Sequence, residues 1–457
     1  MTNDVAQTIT SRYLSRTARS RENNAEAKKY LPGGDTRAST FFGPYPSYMD
    51  RGEGCHLYDC DDNQYIDFLN NFTTLIHGHN HPDVVKATLD QFAKGTAFAS
   101  AATAQTDLAK IICERVPCID LVRFTNSGTE ATMMAMRAAR AFSGKDIILK
   151  MDGGYHGTHD FAEVNILPDV ETQGRPTVRL GSPGVPACVL DGMMVTRFND
   201  LEMAEEILAE HHDQIAAVIM EPVLGAGGGI PSKEGFLQGM RELTKKHGVL
   251  LIFDEIITFR MSLGGMQKLH GVTPDLTTLG KIIGGGFAVG AFGGRQEIME
   301  HFTPGHPQMI VHAGTFNGHN VTMAAGIAAL QNYDQAAIDK INALGDRMRA
   351  GFNRALRAAG IKGQAFGFGS LIMVHWTDEE IVSSKDVLLS VAAAAELPRL
   401  LHLEMMNRGV FSATRGMYAL STPMTEKEID QTIEAFEATL GVLKPYVVEA
   451  TPHLMIG

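Results

Sequence analysis

Three apolar runs, at residues 147–149, 216–220 and 249–253, constrain this chain more than any other feature. None alternates polar and apolar residues, as a strand with one face in water does. Each therefore reads as a strand buried on both faces. Between them lies a helical stretch with Leu201, Ala204, Ile207 and Leu208 on one face, and Asn199-Asp200 offers its N-cap. Strand, helix and strand in that order predict βαβ units and a mostly parallel sheet.

The flanks read differently. Residues 1–32 form a helical arm that stops at the breaker cluster Leu31-Pro32-Gly33-Gly34. Short β-like stretches follow at 55–59 and 65–69, with a hairpin turn at 61–64. After about residue 335, Ile338, Ile341, Leu344, Met348 and Phe352 mark an amphipathic helix, residues 370–375 a strand, and residues 426–443 a last helix. The expected plan is an N-terminal arm and part of a small domain over 1–81, a large α/β domain over 82–334, and a small α+β domain over 335–457. No internal repeat interrupts it.

Composition narrows the class. At 457 residues the chain is long enough for about three domains. Its 40 Lys and Arg against 52 Asp and Glu leave a net charge of −12, which argues against a nucleic-acid or anionic-membrane partner. The five cysteines, Cys55, Cys60, Cys113, Cys118 and Cys188, include no C-x-x-C pair, so free thiols in a reducing compartment are expected. The first residues carry no apolar signal-like core, and no run of about 18 apolar residues occurs. A soluble, cytoplasmic protein is the expectation.

Several positions carry chemistry. Asp254 ends the most apolar run, and in open α/β sheets ligands bind at the C-terminal ends of the strands. Lys281 lies between apolar residues and the glycines 284–286, where desolvation can free its amine as a nucleophile. Thr125-Asn126-Ser127-Gly128-Thr129-Glu130-Ala131 at a helix start suits an anion such as phosphate, or simply caps the helix. Gly153-Gly154-Tyr155-His156-Gly157 follows a strand and can present a flat aromatic face to a ring. Gly314-Thr315-Phe316-Asn317 offers a hydroxyl in a further glycine-broken loop. Taken singly, each has an ordinary structural reading. Walker A fails, since Gly280-Lys281 is followed by Ile282.

In this order, the motifs resemble those of class III aminotransferases, pyridoxal 5′-phosphate (PLP) enzymes of fold type I, over about residues 25 to 440. The resemblance implies a large domain with a mostly parallel, seven-stranded-type sheet between helices, and a smaller α+β domain. It assigns the cofactor phosphate to Ser127, Gly128 and Thr129, and the ring face to Tyr155, with His156 beside it. Asp254 would hold the pyridine nitrogen protonated, Ile256 would cover the opposite ring face, and Lys281 would form the Schiff base. Glu221, in Met220-Glu221-Pro222, matches the family's Glu-Pro strand end. Thr315 would reach the phosphate of a neighbouring subunit, implying a homodimer with active sites at the subunit interface.

Within the class, the chain most resembles the branch of glutamate-1-semialdehyde aminomutases and β-phenylalanine aminotransferases, through Leu31-Pro32-Gly33-Gly34, Arg37 and residues 411–416. That resemblance makes Arg37 and Arg415 candidates for a substrate carboxylate, which suits a guanidinium fork. Arg260 is a third candidate, with a structural role as the competing reading. Phe41, Phe42, Tyr45 and Tyr48 could wall an apolar pocket or be ordinary core. The function implied is ping-pong transfer of an amino group from a β-amino acid or related amine to 2-oxoglutarate or pyruvate. An aminomutase of the glutamate-1-semialdehyde type is the alternative. A zinc site on His77, His79 and His81 is the rival from another class, but Gly78, Asn80 and Pro82 make that segment a loop, and no metal is expected. A non-catalytic binding protein on the same fold is disfavoured by the presence together of Lys281, Asp254 and the phosphate loop.

Overall fold

The computed structural model describes residues 2–457, which divide into two compact units. One comprises residues 82–338 and 381–388, the other residues up to 81 together with 339–380 and 389–457.

The first unit is built on a seven-stranded sheet. Its spatial order is Leu121–Thr125, Gly290–Gly294, Leu276–Gly280, Leu250–Asp254, Ile215–Met220, Ile147–Met151 and Met193–Thr196. Only Gly290–Gly294 runs antiparallel to its neighbours. The three apolar runs are the central strands, and every residue of them is buried. Helices on a sheet of this kind bury the apolar stripe of each element. Gly128–Ser143 packs Ala131, Met134, Ala135, Ala138 and Ala139 into the core with Ile148, Ala217 and Ile252. The expected cap of the next helix forms, with Asp200 accepting from the Met203 amide at 2.9 Å ahead of Leu201–His211. Strand Gly290–Gly294 carries too little side chain to be read as a strand. Its glycines are explained by crowding: a Cβ on Gly290 would meet the Ser127 carbonyl at 2.0 Å, and one on Gly294 the Asp275 carbonyl at 2.2 Å.

The second unit is α+β. Met49–Glu53, His56–Asp59 and Gln64–Asp67 form an antiparallel meander that Val410–Phe411 extends in parallel. Gln364–Phe368, Leu371–His375 and Met417–Ala419 form a second sheet. The arm is two helices, Thr2–Arg16 and Ala18–Ala27, parted at Thr17, whose hydroxyl bonds back to the Tyr13 carbonyl at 2.7 Å. The last helix, Glu426–Ala450, begins with a capping box at Thr425 and Glu428. It continues seven residues past the expected end at Leu443, carrying Pro445 inside, because Tyr446 and Val447 are buried and packing outweighs one missing amide donor.

One segment of this unit is strained. Asn70, Asn71, Phe72 and Thr73 all have positive φ, between 48° and 73°. Asparagine tolerates that region, but phenylalanine and threonine do so at a cost of roughly 1–2 kcal/mol each. Asp67 holds the start of the run by accepting from the Leu69 and Asn70 amides, and Asn70 donates to the Ala419 carbonyl at 2.7 Å.

Candidate active site

The residues singled out in the α/β unit converge on the C-terminal ends of its parallel strands. Asp254 ends Leu250–Asp254, Glu221 follows Ile215–Met220, Lys281 follows Leu276–Gly280, Tyr155 and His156 follow Ile147–Met151, and Ser127 follows Leu121–Thr125. That edge is where such sheets bind ligands.

Asp254 is buried and already well bonded. Its Oδ2 meets His156 Nδ1 at 2.8 Å, while Oδ1 accepts from Thr278 Oγ1 at 3.0 Å and the Ile256 amide at 3.2 Å. An ionised carboxylate has about four acceptor sites, so one remains for a further donor. Burial holds the His156 pKa below its ordinary value, although Asp254 pulls the other way. A neutral imidazole then carries its proton on Nδ1, toward Asp254. Its buried Nε2 has no protein partner among the described residues.

Glu221 is buried behind these groups. It accepts from the Tyr155 amide at 3.1 Å and the Gly225 amide at 3.0 Å. Burial, and next the charge of Asp254, push its carboxyl up to about 8. Tyr155 itself stays 44% exposed.

The helix start forms a cradle. Ser127 caps Gly128–Ser143, its hydroxyl taking the Glu130 amide at 3.2 Å and its carbonyl the Ala131 amide at 3.1 Å, which leaves the amides of Gly128 and Thr129 for an anion. A Cβ on Gly128 would lie 2.6 Å from Ile256 Cδ1, so a larger residue there would have to push that methyl aside. Ile256 also lies against Gly280, so the isoleucine bridges the helix start and the residue before Lys281. Gly157, at φ 98°, has its Cβ position 2.5 Å from Thr129 Oγ1 and draws the aromatic loop onto the cradle. Lys281 takes a left-handed backbone, φ 51°, at the turn out of its strand. A carboxylate with a spare acceptor site, a half-exposed tyrosine beside it and an anion cradle fit the ring and phosphate of PLP.

Thr315 is exposed. Its loop is tied to the segment ahead of the cradle, Asn126 Nδ2 donating to Asn317 Oδ1 at 2.9 Å. Arg260 is fully buried and its carbonyl accepts from the Tyr333 hydroxyl at 2.6 Å, the setting of a core residue. Sequence reasoning missed Thr278, which bonds Asp254, and Lys150, buried within Ile147–Met151. A lone charge inside an apolar run was the signal for the lysine.

Arg37 and Arg415 belong to the other unit, and both edge one apolar cluster there. Arg37 donates to Asn71 Oδ1 at 2.8 Å and lies over the Phe72 ring at 5.9 Å, while Arg415 reaches Met417 Sδ at 3.8 Å. Phe72 and Met417 pack together with Leu69, Met373 and Ala413. Phe42 and Tyr45 are core, packed on Tyr13, whereas Phe41 is exposed. Among the former metal candidates, His77 bonds Thr422 Oγ1 at 2.9 Å and His79 bonds Asp67 Oδ2 at 2.8 Å. No His, Cys, Asp and Glu group suited to a metal occurs among the described residues. Nor, among them, is any helix long and apolar enough to cross a membrane.

Residues 42–440 match the family model described as aminotransferase class-III. A protein named glutamate-1-semialdehyde 2,1-aminomutase 2, from Lysinibacillus sphaericus (strain C3-41), is 40% identical over 433 residues, covering 93% of this chain and 98% of that protein. The solved structure of an omega-transaminase from Sphaerobacter thermophilus superposes with a TM-score of 0.88 at 42% identity, covering 92% of this chain and 97% of that one. A beta-phenylalanine aminotransferase from Variovorax paradoxus gives a TM-score of 0.87 at 34% identity, covering 97% and 98%.

Proposed function

Because this chain belongs to the class III aminotransferases and is a PLP-dependent enzyme, we propose that it moves an amino group from a β-amino acid or related amine to 2-oxoglutarate or pyruvate. The observation that carries the choice of donor is the pair Arg37 and Arg415 on the rim of one apolar cluster. Such a rim binds a carboxylate by its guanidinium forks and an alkyl or aryl group by its floor. The likeness to a beta-phenylalanine aminotransferase supports the same donor.

The residues divide the work. When bound, PLP supplies an electron sink for the electron pair of a broken C–H bond. Ser127, Gly128 and Thr129 bind the phosphate by amides, hydroxyls and the helix dipole. Tyr155 and Ile256 hold the two faces of the ring, and His156 and Thr278 orient Asp254. The free acceptor site of Asp254 holds a proton on the pyridine nitrogen. Lys281 anchors the cofactor as its amine, and once released moves the proton at Nζ as base and then acid. Thr315 serves the phosphate of the partner in a homodimer. Unpaired cysteines throughout accord with a cytoplasmic setting.

The experiment is a visible spectrum of the purified holoenzyme during addition of β-phenylalanine without any oxo acid. The cofactor band should bleach and return with 2-oxoglutarate or pyruvate, and Lys281→Ala should lose the cycle. A band that no β-amino acid moves would discard the donor.

A second reading, the aminomutase, is favoured by the name of the relative at 40% identity. It shares every cofactor contact. Turnover of glutamate 1-semialdehyde that needs no added oxo acid would select it.

A further inference from the structure

Lys150 is wholly buried in the strand Ile147–Met151. The acceptors of its ammonium are main-chain carbonyls: Gly154 at 2.9 Å, Ala162 at 3.2 Å, and Val164. An apolar side chain would suit this strand better, since burying an ammonium is costly even when its donors are met.

The three carbonyls come from both limbs of the loop that follows the strand. Gly154 is on the outgoing limb, one residue before Tyr155; Ala162 and Val164 are on the returning limb. Other groups fix the same outgoing limb residue by residue. Ser384 Oγ donates to the Asp152 carbonyl at 2.6 Å, and the Gly153 amide donates to the Asn165 carbonyl at 2.9 Å. The Tyr155 amide goes to Glu221, and the His156 carbonyl takes the Thr132 hydroxyl at 2.5 Å. Among these anchors Lys150 alone brings a positive charge. Burial draws its pKa down to about 7, opposed by Asp152, Glu221 and Glu163, and Lys150 in turn opposes the upward push on Glu221. The lysine and the buried Glu221 are thus electrostatically linked.

We propose that Lys150 is the positioning residue of the cofactor site: its ammonium ties the two limbs of the 152–164 loop and sets Tyr155 and His156 in place for the ring. The inference rests on the assignment of Tyr155 and His156 to the cofactor ring.

The test uses full-length apo protein carrying Lys150→Met, Lys150→Gln, Lys150→Arg or Tyr155→Ala. Three quantities are measured: PLP affinity by absorbance titration, circular dichroism of the bound cofactor's visible band, and the melting temperature of the apo form. Lys150→Met should bind PLP about tenfold more weakly, near the upper worth of one ring contact, and lose most of the dichroic signal. Lys150→Arg, which keeps charge and donors, should recover part of both. The double variant with Tyr155→Ala should lose no more affinity than the larger single loss, because both remove the same contact. A Lys150→Met protein with PLP affinity within about twofold of wild type and an unchanged dichroic band would overturn the inference, whatever its melting temperature. So would additive losses in the double variant. If Lys150→Met does not fold, Lys150→Gln decides by the same two readouts. A normal affinity for Tyr155→Ala would instead sink the ring assignment.

Discussion

Asp254 and Glu221 are both buried carboxylates at one strand edge, but their bonding separates them. Asp254 takes three donors, including an imidazole, and keeps one acceptor site, whereas Glu221 takes two amides and is held up to about 8. If Asp254 holds the ring nitrogen, Asp254→Asn should cut kcat/KM by at least about a hundredfold in a protein that still folds, in line with removal of one electrostatic stabiliser. Near-normal turnover would reassign it. For Glu221 the folded pKa lies above the ordinary 4.5, so between pH 4.5 and about 8 the native chain binds the extra proton and loses stability as pH rises. Apo Glu221→Gln should lose less stability over that window, measured by denaturant midpoints; curves parallel to wild type would exclude Glu221 as the source. Gly157→Ala places a Cβ against Thr129 at a left-handed φ of 98°. It should cost roughly 1–3 kcal/mol and weaken PLP binding with it.

Elements differ in how openly their sequences declare them. Leu201–His211 and Gln335–Ala359 have an apolar stripe of helical period, and the former has its cap in the expected place. Central strands are legible because continuous apolar runs suit only a doubly covered sheet. Gly290–Gly294 is not legible, because what makes it a strand is the closeness of Ser127 and Asp275, which are remote in sequence. The helix over Glu426–Ala450 was legible at its start, where the structure shows a capping box, but not at its end, where buried Tyr446 and Val447 carry it past Pro445. Thr425→Ala should therefore lower stability by about 1 kcal/mol, read as a shift in denaturant midpoint with unchanged slope. A shift within error would mean that packing alone sets that terminus.

At the scale of the whole molecule, the exposed Thr315 sets the sharpest prediction. If it serves the partner's site, mixing Lys281→Ala with Thr315→Ala chains should create one intact site per mixed dimer. Random reassortment then restores about a quarter of wild-type sites, above the average of the two separate variants. Activity equal to that average would place Thr315 in its own chain's site. Size-exclusion chromatography with light scattering checks that the mixed species is a dimer.

Local pattern alone was sufficient for the sheet class, and it placed Asp254 at a strand end, Ser127 at a helix start and Tyr155 in a glycine turn. Periodicity, caps and glycine turns are properties of neighbouring residues, and each of these motifs lies at or just after the end of its own strand. Which further groups complete the site was a matter of tertiary structure. Thr278 reaches Asp254 across two adjacent strands, Lys150 collects carbonyls up to 14 residues away, and the same kind of aromatic becomes core at Phe42 yet stays exposed at Phe41. Arg37 and Arg415 meet one cluster only because the left-handed turn at 70–73 brings Phe72 against Met417. Burial and hydrogen-bond partnership depend on what the rest of the chain brings alongside, and no local window of sequence contains that.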